Sequence, residues 1–289
     1  MKHSALVLFA LTVCAATASL HAQCSPAVQR MVGERNFTAA RAQADAQLSR
    51  APMDDAAMHC IGRILLEKDS SAGSVEWMEK ATAINEHSAQ HHLGLGLALR
   101  AEGQKAGMLR AASFVRRVKT ELDRSVALDP TLVEARYALV QFHLQAPGMM
   151  GGSVAAARDH ATELTKTNAM RGRMATGLIE EHANDFVSAE RAFLAAITTK
   201  PDSDAAYSAA GAFYRRRERW RDAIAMYERQ IKVLSQDAPR VRVSLAHHFL
   251  AVALDKNGDR ARATAEYRIA LLVNPDNKDA KMALAGMEE

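Results

Sequence analysis

Residues 204–235 carry the clearest periodic pattern of small, aromatic and polar positions in the chain. Two groups of small, aromatic and apolar residues recur there at spacings of three and four, and the polar run RRRER separates them. Such spacing places each group on one face of a helix, so the segment is predicted to form two amphipathic helices joined by a short turn. The two groups are Tyr207, Ala210, Gly211 and Tyr214, then Trp220, Ala223, Tyr227 and Ile231.

Small residues mark the expected contact between these two helices. Ala210, Gly211 and Ala223 fall where the helices would touch. A larger side chain at these positions would push the helices apart. The pattern therefore predicts a closely packed helical hairpin.

The hairpin pattern returns along the whole chain, in units that begin near residues 21, 55, 89, 133, 170, 204 and 244. Counting the step to a last short helix at 278, four intervals equal 34 residues and three are longer. Two insertions stand out, one at 102–127, where a long helix over about 106–127 is predicted, and a loop at 146–153. Regular repetition predicts a stack of hairpins in which each unit contacts only its neighbours.

The signature positions of residues 204–235 resemble those of the tetratricopeptide repeat. Only the terminal proline is missing, and Ser235 stands in its place. The resemblance implies an all-α fold, a right-handed superhelical solenoid of about seven antiparallel helix pairs over 23–289 with a C-terminal capping helix at 278–289. It also implies a concave groove lined by the first helix of each pair, where proteins of this family hold other proteins.

Composition agrees with an all-α chain, because 48% of the 289 residues are hydrophobic and only 5% are aromatic. Residues 1–22 have the positive start, the apolar stretch and the small-residue cleavage site of a secretory signal peptide. The mature chain is therefore expected to begin at Gln23, in the periplasm, with no membrane span of its own. The alternatives are an uncleaved anchor helix and a lipoprotein, although neither Cys14 nor Cys24 follows the small residue that lipidation normally requires.

Charge argues against one class of partner. Loss of Lys2 with the signal peptide would leave 36 basic and 33 acidic residues, a net charge of +3. Nucleic-acid binding as the main task usually requires a clustered basic face, and this nearly neutral balance does not support it.

Two cysteines, Cys24 and Cys60, remain in the mature chain. In the repeat register they lie on neighbouring first helices, and in an oxidising compartment they are expected to form a disulfide. By loop-closure entropy, a bridge of this span would contribute about 3–4 kcal/mol to stability. The alternative is a pair of unpaired, buried thiols.

The groove implied by the resemblance mixes basic, polar and apolar residues. Arginine forks bind carboxylates bidentately, so an acidic peptide segment or a free C-terminal carboxylate is the expected ligand. The alternative is that these side chains are simply solvated. The expected groove residues are Arg63, Arg100, Tyr137, Gln141, Arg171, Met174, Arg215, Arg216 and His248.

No catalytic residues, metal site or cofactor are expected. HExxH, CxxC, GxSxG and phosphate-binding loop motifs are absent from the sequence, and His59 and Cys60 would point about 100° apart on a helix. The favoured interpretation is an exported scaffold for other proteins, with self-association through its ends left open. The alternative is a ligand carrier or enzyme whose site is built by the insertions at 102–127 and 146–153.

Overall fold

The computed structural model describes residues 24–106, 108–236 and 238–288. The predicted signal peptide at 1–22 lies outside these residues. Within them the chain is helical, and no strand occurs. None of the described helices is both long enough and apolar enough to cross a membrane.

Fifteen helices follow one another along the described chain, and fourteen of them form antiparallel pairs. The pairs are α1 Pro26–Gly33 with α2 Phe37–Arg50, α3 Asp55–Glu67 with α4 Ser71–Ile84, α5 Ala89–Lys105 with α6 Met108–Leu128, α7 Val133–Gln145 with α8 Val154–Thr167, α9 Ala169–His182 with α10 Phe186–Thr199, α11 Asp204–Arg216 with α12 Trp220–Val233, and α13 Arg240–Lys256 with α14 Arg260–Val273; α15 Lys278–Glu288 covers the last pair.

The pairs stack in a curved row. Each helix packs against the helices before and after it, and first helices of adjacent pairs also contact each other, as α7 does with α9 and α9 with α11. The second helices of adjacent pairs approach each other less closely. The row is therefore a helical solenoid that curves with its first helices on the inner side.

Size complementarity sets the distance between the two helices of a pair. An added Cβ at Gly211 would lie 2.7 Å from the ring of the fully buried Tyr227, and one at Gly177 would lie 2.7 Å from the ring of Phe193. In the fourth pair, Val140 on the first helix and Ala161 on the second belong to the same buried cluster. In the fifth and sixth pairs, a glycine thus faces a large aromatic ring where the two helices cross.

A repeated turn ends the first helix in five of the pairs. One residue adopts positive φ, and the next backbone N–H donates to the carbonyl five residues earlier, as Ser70 does to Leu65 at 2.9 Å. This left-handed turn satisfies the last carbonyls of the helix. The positive-φ residues are Arg35, Asp69, Asn184, Glu218 and Gly258.

Within the part of the chain that the structure describes, the third and fourth pairs lack this turn. They are the pairs that contain the two insertions, at 102–127 and 146–153. The long second helix predicted over about 106–127 is present as α6, with 21 residues, and in addition α5 is lengthened to 17 residues. After α7, a short 3-10 turn at Gly148–Met150 leads into α8. Both first helices end on extended residues, Ala106 and Ala146.

The two ends of the solenoid meet. Arg35, just after α1, forms an ion pair with Asp276, just before α15, at 3.0 Å. Gly33 faces Pro239, immediately before α13, and an added Cβ would stand 3.7 Å from it. End-to-end stacking of two copies would have to compete with this contact.

We expect Gly211→Ala to lower the free energy of unfolding by about 1–3 kcal/mol, because the new methyl group would overpack against Tyr227. The matched control is Gly286→Ala, where an added Cβ meets nothing within 4 Å. There the better helix propensity of alanine should leave stability unchanged or raise it by up to about 1 kcal/mol. Denaturant unfolding followed by circular dichroism compares them, and equal effects of the two changes would contradict the crossing contact.

Candidate functional site

The inner surface, formed by the first helices α3, α5, α7, α9, α11 and α13, carries polar contacts from one pair to the next. Arg100 on α5 donates to Gln141 on α7 at 3.1 Å. The Arg171 guanidinium of α9 lies 5.2 Å from the ring centroid of Tyr137 on α7. These side chains meet because the first helices stack side by side. Positions at the same level along neighbouring first helices therefore come into contact.

Two further contacts continue this row toward the C-terminal end. Arg216 on α11 forms a two-point ion pair with Glu181 on α9, at 2.7 and 2.6 Å. The Arg215 guanidinium lies 5.0 Å from the ring centroid of Phe249 on α13. Hydrogen bonding to Glu181 raises the pKa of Arg216, so this pair stays charged.

The arginine cluster, which we define as Arg171, Arg215 and Arg216, has an excess of positive charge. Only Arg216 contacts a carboxylate among the described residues; Arg171 and Arg215 stack on aromatic rings instead. Neither of these two guanidinium groups has a carboxylate partner among the described residues. The cluster therefore carries two positive charges that no acidic side chain of the described chain offsets.

Buried polar atoms beside the arginine cluster also lack partners in the described chain. They are Arg215 Nε, the Tyr227 hydroxyl and His248 Nδ1. Burial raises the pKa of Tyr227, and the close approach of the Arg215 guanidinium to its hydroxyl lowers it, although the two groups do not reach good hydrogen-bond geometry. Burial lowers the pKa of His248, so its ring is held neutral; at 8% exposure the side chain lies in the core and does not line the groove as expected. Unpaired buried polar groups of this kind are costly, and native proteins contain only a few of them.

Not every expected groove residue reaches the inner surface. Met174 is only 3% exposed and packs with Met170, Ala196 and Ala206 in the core, so its expected place in the groove is corrected. The reason is that α9 turns this position toward α11 and the next pair. Arg63, by contrast, is exposed and lines a cavity of about 320 Å³ between α3 and α5.

A buried hydrogen-bonded chain lies behind Arg63. Asp55 accepts from His91 Nε2 at 2.9 Å, and His91 Nδ1 lies 3.2 Å from His59 Nδ1. Asn85 also donates to Asp55, at 2.8 Å. With the ionised Asp55 fixing the tautomer, His91 Nδ1 accepts from His59 Nδ1. Sequence reasoning missed this chain, although the 32-residue separation of the two histidines is close to one repeat.

Burial, and then the charges of His91 and Arg63, lower the pKa of His59 to about 3. Burial also lowers the pKa of His91, against the effect of Asp55. The two rings are therefore neutral at physiological pH. No group of three or more histidine, cysteine or acidic side chains that could hold a metal ion occurs in the described part of the chain.

At the N-terminal end, Cys24 and Cys60 are joined by a disulfide, with a Cα–Cα separation of 5.3 Å. The bridge ties the segment before α1 to α3. Both cysteines belong to the buried cluster of the first two pairs, together with Val28 and Ile61. The bridge thus fastens the end pair, which has one fewer neighbour than an inner pair.

The stacked hairpins define a class of protein, the helical repeat solenoids. One tetratricopeptide repeat family model matches residues 206–241, and a second matches residues 150–205 and 249–289. These matches, together with the fold, support a tetratricopeptide repeat protein. Repeats of this kind indicate a scaffold for protein–protein interaction.

Solved structures of low sequence identity share the fold. A tetratricopeptide repeat protein from Parabacteroides merdae has 13% identity and a TM-score of 0.60, over 91% of this chain and 96% of its own. Yeast Tom70 has 15% identity and a TM-score of 0.62, over 88% of this chain and 52% of its own. A search of curated proteins finds no match.

We expect the His59 site to make stability depend on pH. Below about pH 6.5 the unfolded chain protonates His59, whereas the folded chain keeps it neutral down to about pH 3. The unfolded state then binds more protons, so the free energy of unfolding should decrease as the pH falls from 6.5.

Denaturant unfolding at pH 7.5 and 5.0 checks this for the wild type and for His59→Asn, which cannot titrate. The variant should lose less stability than the wild type over this range. His87→Asn, in the exposed turn before α5, is the surface control and should follow the wild type. Equal losses in the wild type and His59→Asn would contradict the assignment.

Proposed function

We propose that the protein is an exported scaffold that holds acidic peptide segments of partner proteins against the arginine cluster. The observation that carries this proposal is that Arg171 and Arg215 have no carboxylate partner within the described chain, beside buried polar atoms that are also unpaired. A peptide carboxylate would supply both the missing charge and hydrogen-bond acceptors. Charge-assisted bonds of this kind are about twice as strong as neutral ones.

The arrangement also favours a chain over a single ion. Arg171 and Arg215 lie on successive first helices, α9 and α11, so their charges are spread along the inner surface. An extended acidic segment can follow the inner surface from one helix to the next. Glu181 already neutralises Arg216, so Arg216 lies at the edge of the proposed site and is not itself a main contact for the peptide.

Export to the periplasm is part of the proposal. The signal-like pattern of residues 1–22 supports it, and so does the Cys24–Cys60 disulfide, because such bridges persist mainly in oxidising compartments. A role without catalysis is also proposed, since proteins of this repeat family are typically scaffolds. The partners are then other envelope proteins that present acidic segments.

Fluorescence anisotropy with a labelled acidic peptide tests the site. We expect Arg171→Ala and Arg215→Ala each to weaken binding by about tenfold or more, because each removes charge-assisted hydrogen bonds. Glu181→Gln should instead strengthen binding, since it frees Arg216. Binding should also weaken as salt is added.

The matched control is Arg229→Ala, an exposed arginine on the second helix α12, which should bind like the wild type. A peptide with glutamine in place of glutamate controls for contacts that do not involve charge. Equal affinity for the two peptides, or equal losses in Arg215→Ala and Arg229→Ala, would overturn the proposal.

A further inference from the structure

The two insertions meet and build an apolar cleft of about 200 Å³. The extended ends of α5 and α6 form one wall, with Leu99, Phe114 and Val118. The end of α7 and the loop after it form the other, with Phe142 and Pro147. The cleft is separate from the arginine cluster, which lies on α9 and α11.

The cleft exists because the helices of the third pair are longer than those of the fourth pair. α5 and α6 have 17 and 21 residues, but α7 has only 13. The two extensions pack tightly on each other, since an added Cβ at Gly103 would lie 2.9 Å from Phe114 Cβ. Beyond the end of α7, only the loop after α7 covers the apolar face of the lengthened α5 and α6. A gap remains between the loop and this face.

Among the described residues, Arg100 is the one charged residue that lines the cleft. Burial lowers the pKa of its guanidinium, and no carboxylate of the described chain offsets that cost. Its hydrogen bond from Nη1 goes to the neutral amide oxygen of Gln141, at 3.1 Å. A half-buried guanidinium with a neutral partner is unfavourable, and an anionic group in the cleft would relieve this.

We propose that this cleft binds a small carboxylic acid with an apolar group of about six to eight carbons. The carboxylate pairs with Arg100, and the apolar group contacts Leu99, Phe114 and Phe142. The volume supports this size, because a dry cavity of about 150 Å³ holds one benzene molecule. An extended peptide could place only one of its side chains in a cleft of this volume. This site is independent of the peptide binding proposed above.

Isothermal titration calorimetry of the full chain with octanoate tests the proposal. We expect octanoate to bind at least tenfold more tightly than octan-1-ol, which lacks the charge, and acetate, which lacks the chain, to give no signal. Arg100→Met should weaken octanoate binding at least tenfold. Arg116→Met, an exposed arginine on α6, is the matched control and should bind like the wild type.

Two further arms keep the outcome decisive. Ala146→Leu should fill the cleft and abolish binding, while circular dichroism confirms an unchanged fold. Arg215→Ala should leave octanoate binding intact, so failure here is distinguishable from failure of the peptide site. Three results would each overturn the proposal. The first is equal binding of octanoate and octan-1-ol, and the second is an equal loss of octanoate binding in Arg100→Met and Arg116→Met. The third is tighter binding of a peptide with a free C-terminal phenylalanine than of octanoate.

Discussion

The fit of one small residue against one large residue, where the two helices of a pair cross, is the contact on which the structure depends. Glycine meets an aromatic ring at Gly211 and Tyr227, and again at Gly177 and Phe193. These close contacts set the spacing of the two helices, so the pairs are alike enough to stack. A single hairpin cannot bury its apolar faces alone, and each pair is stabilised mainly by its neighbours.

Regular stacking has a consequence for the inner surface. When equivalent helices lie side by side, long polar side chains of one pair reach those of the next, as Arg216 reaches Glu181. Some arginines on this surface then form ion pairs with carboxylates, whereas others contact only aromatic rings or amide groups. The two proposed sites both arise from the second case, at Arg215 and at Arg100. The same curvature brings the ends together at Arg35 and Asp276.

The all-helical fold could be predicted from the sequence, because a spacing of 34 residues is a local pattern of small and large positions. The partners of the side chains on the inner surface could not be predicted from the sequence. They depend on which positions of neighbouring first helices lie at the same level. The position of Met174 in the repeat predicts a place in the groove, but its side chain packs against Met170, Ala196 and Ala206 in the core. The long α6 could be predicted, whereas the lengthening of α5 could not, because an insertion in the sequence does not say how two helices share it.

Hydrogen–deuterium exchange on Leu139→Ala tests most directly whether each pair depends on its neighbours. Leu139 is fully buried on α7, near the middle of the row, and its truncation should cost about 2–5 kcal/mol. We predict faster exchange in the third to fifth pairs, from α5 to α10, with α14 and α15 close to their wild-type rates. A uniform increase across all helices would show one cooperative globule and contradict the account.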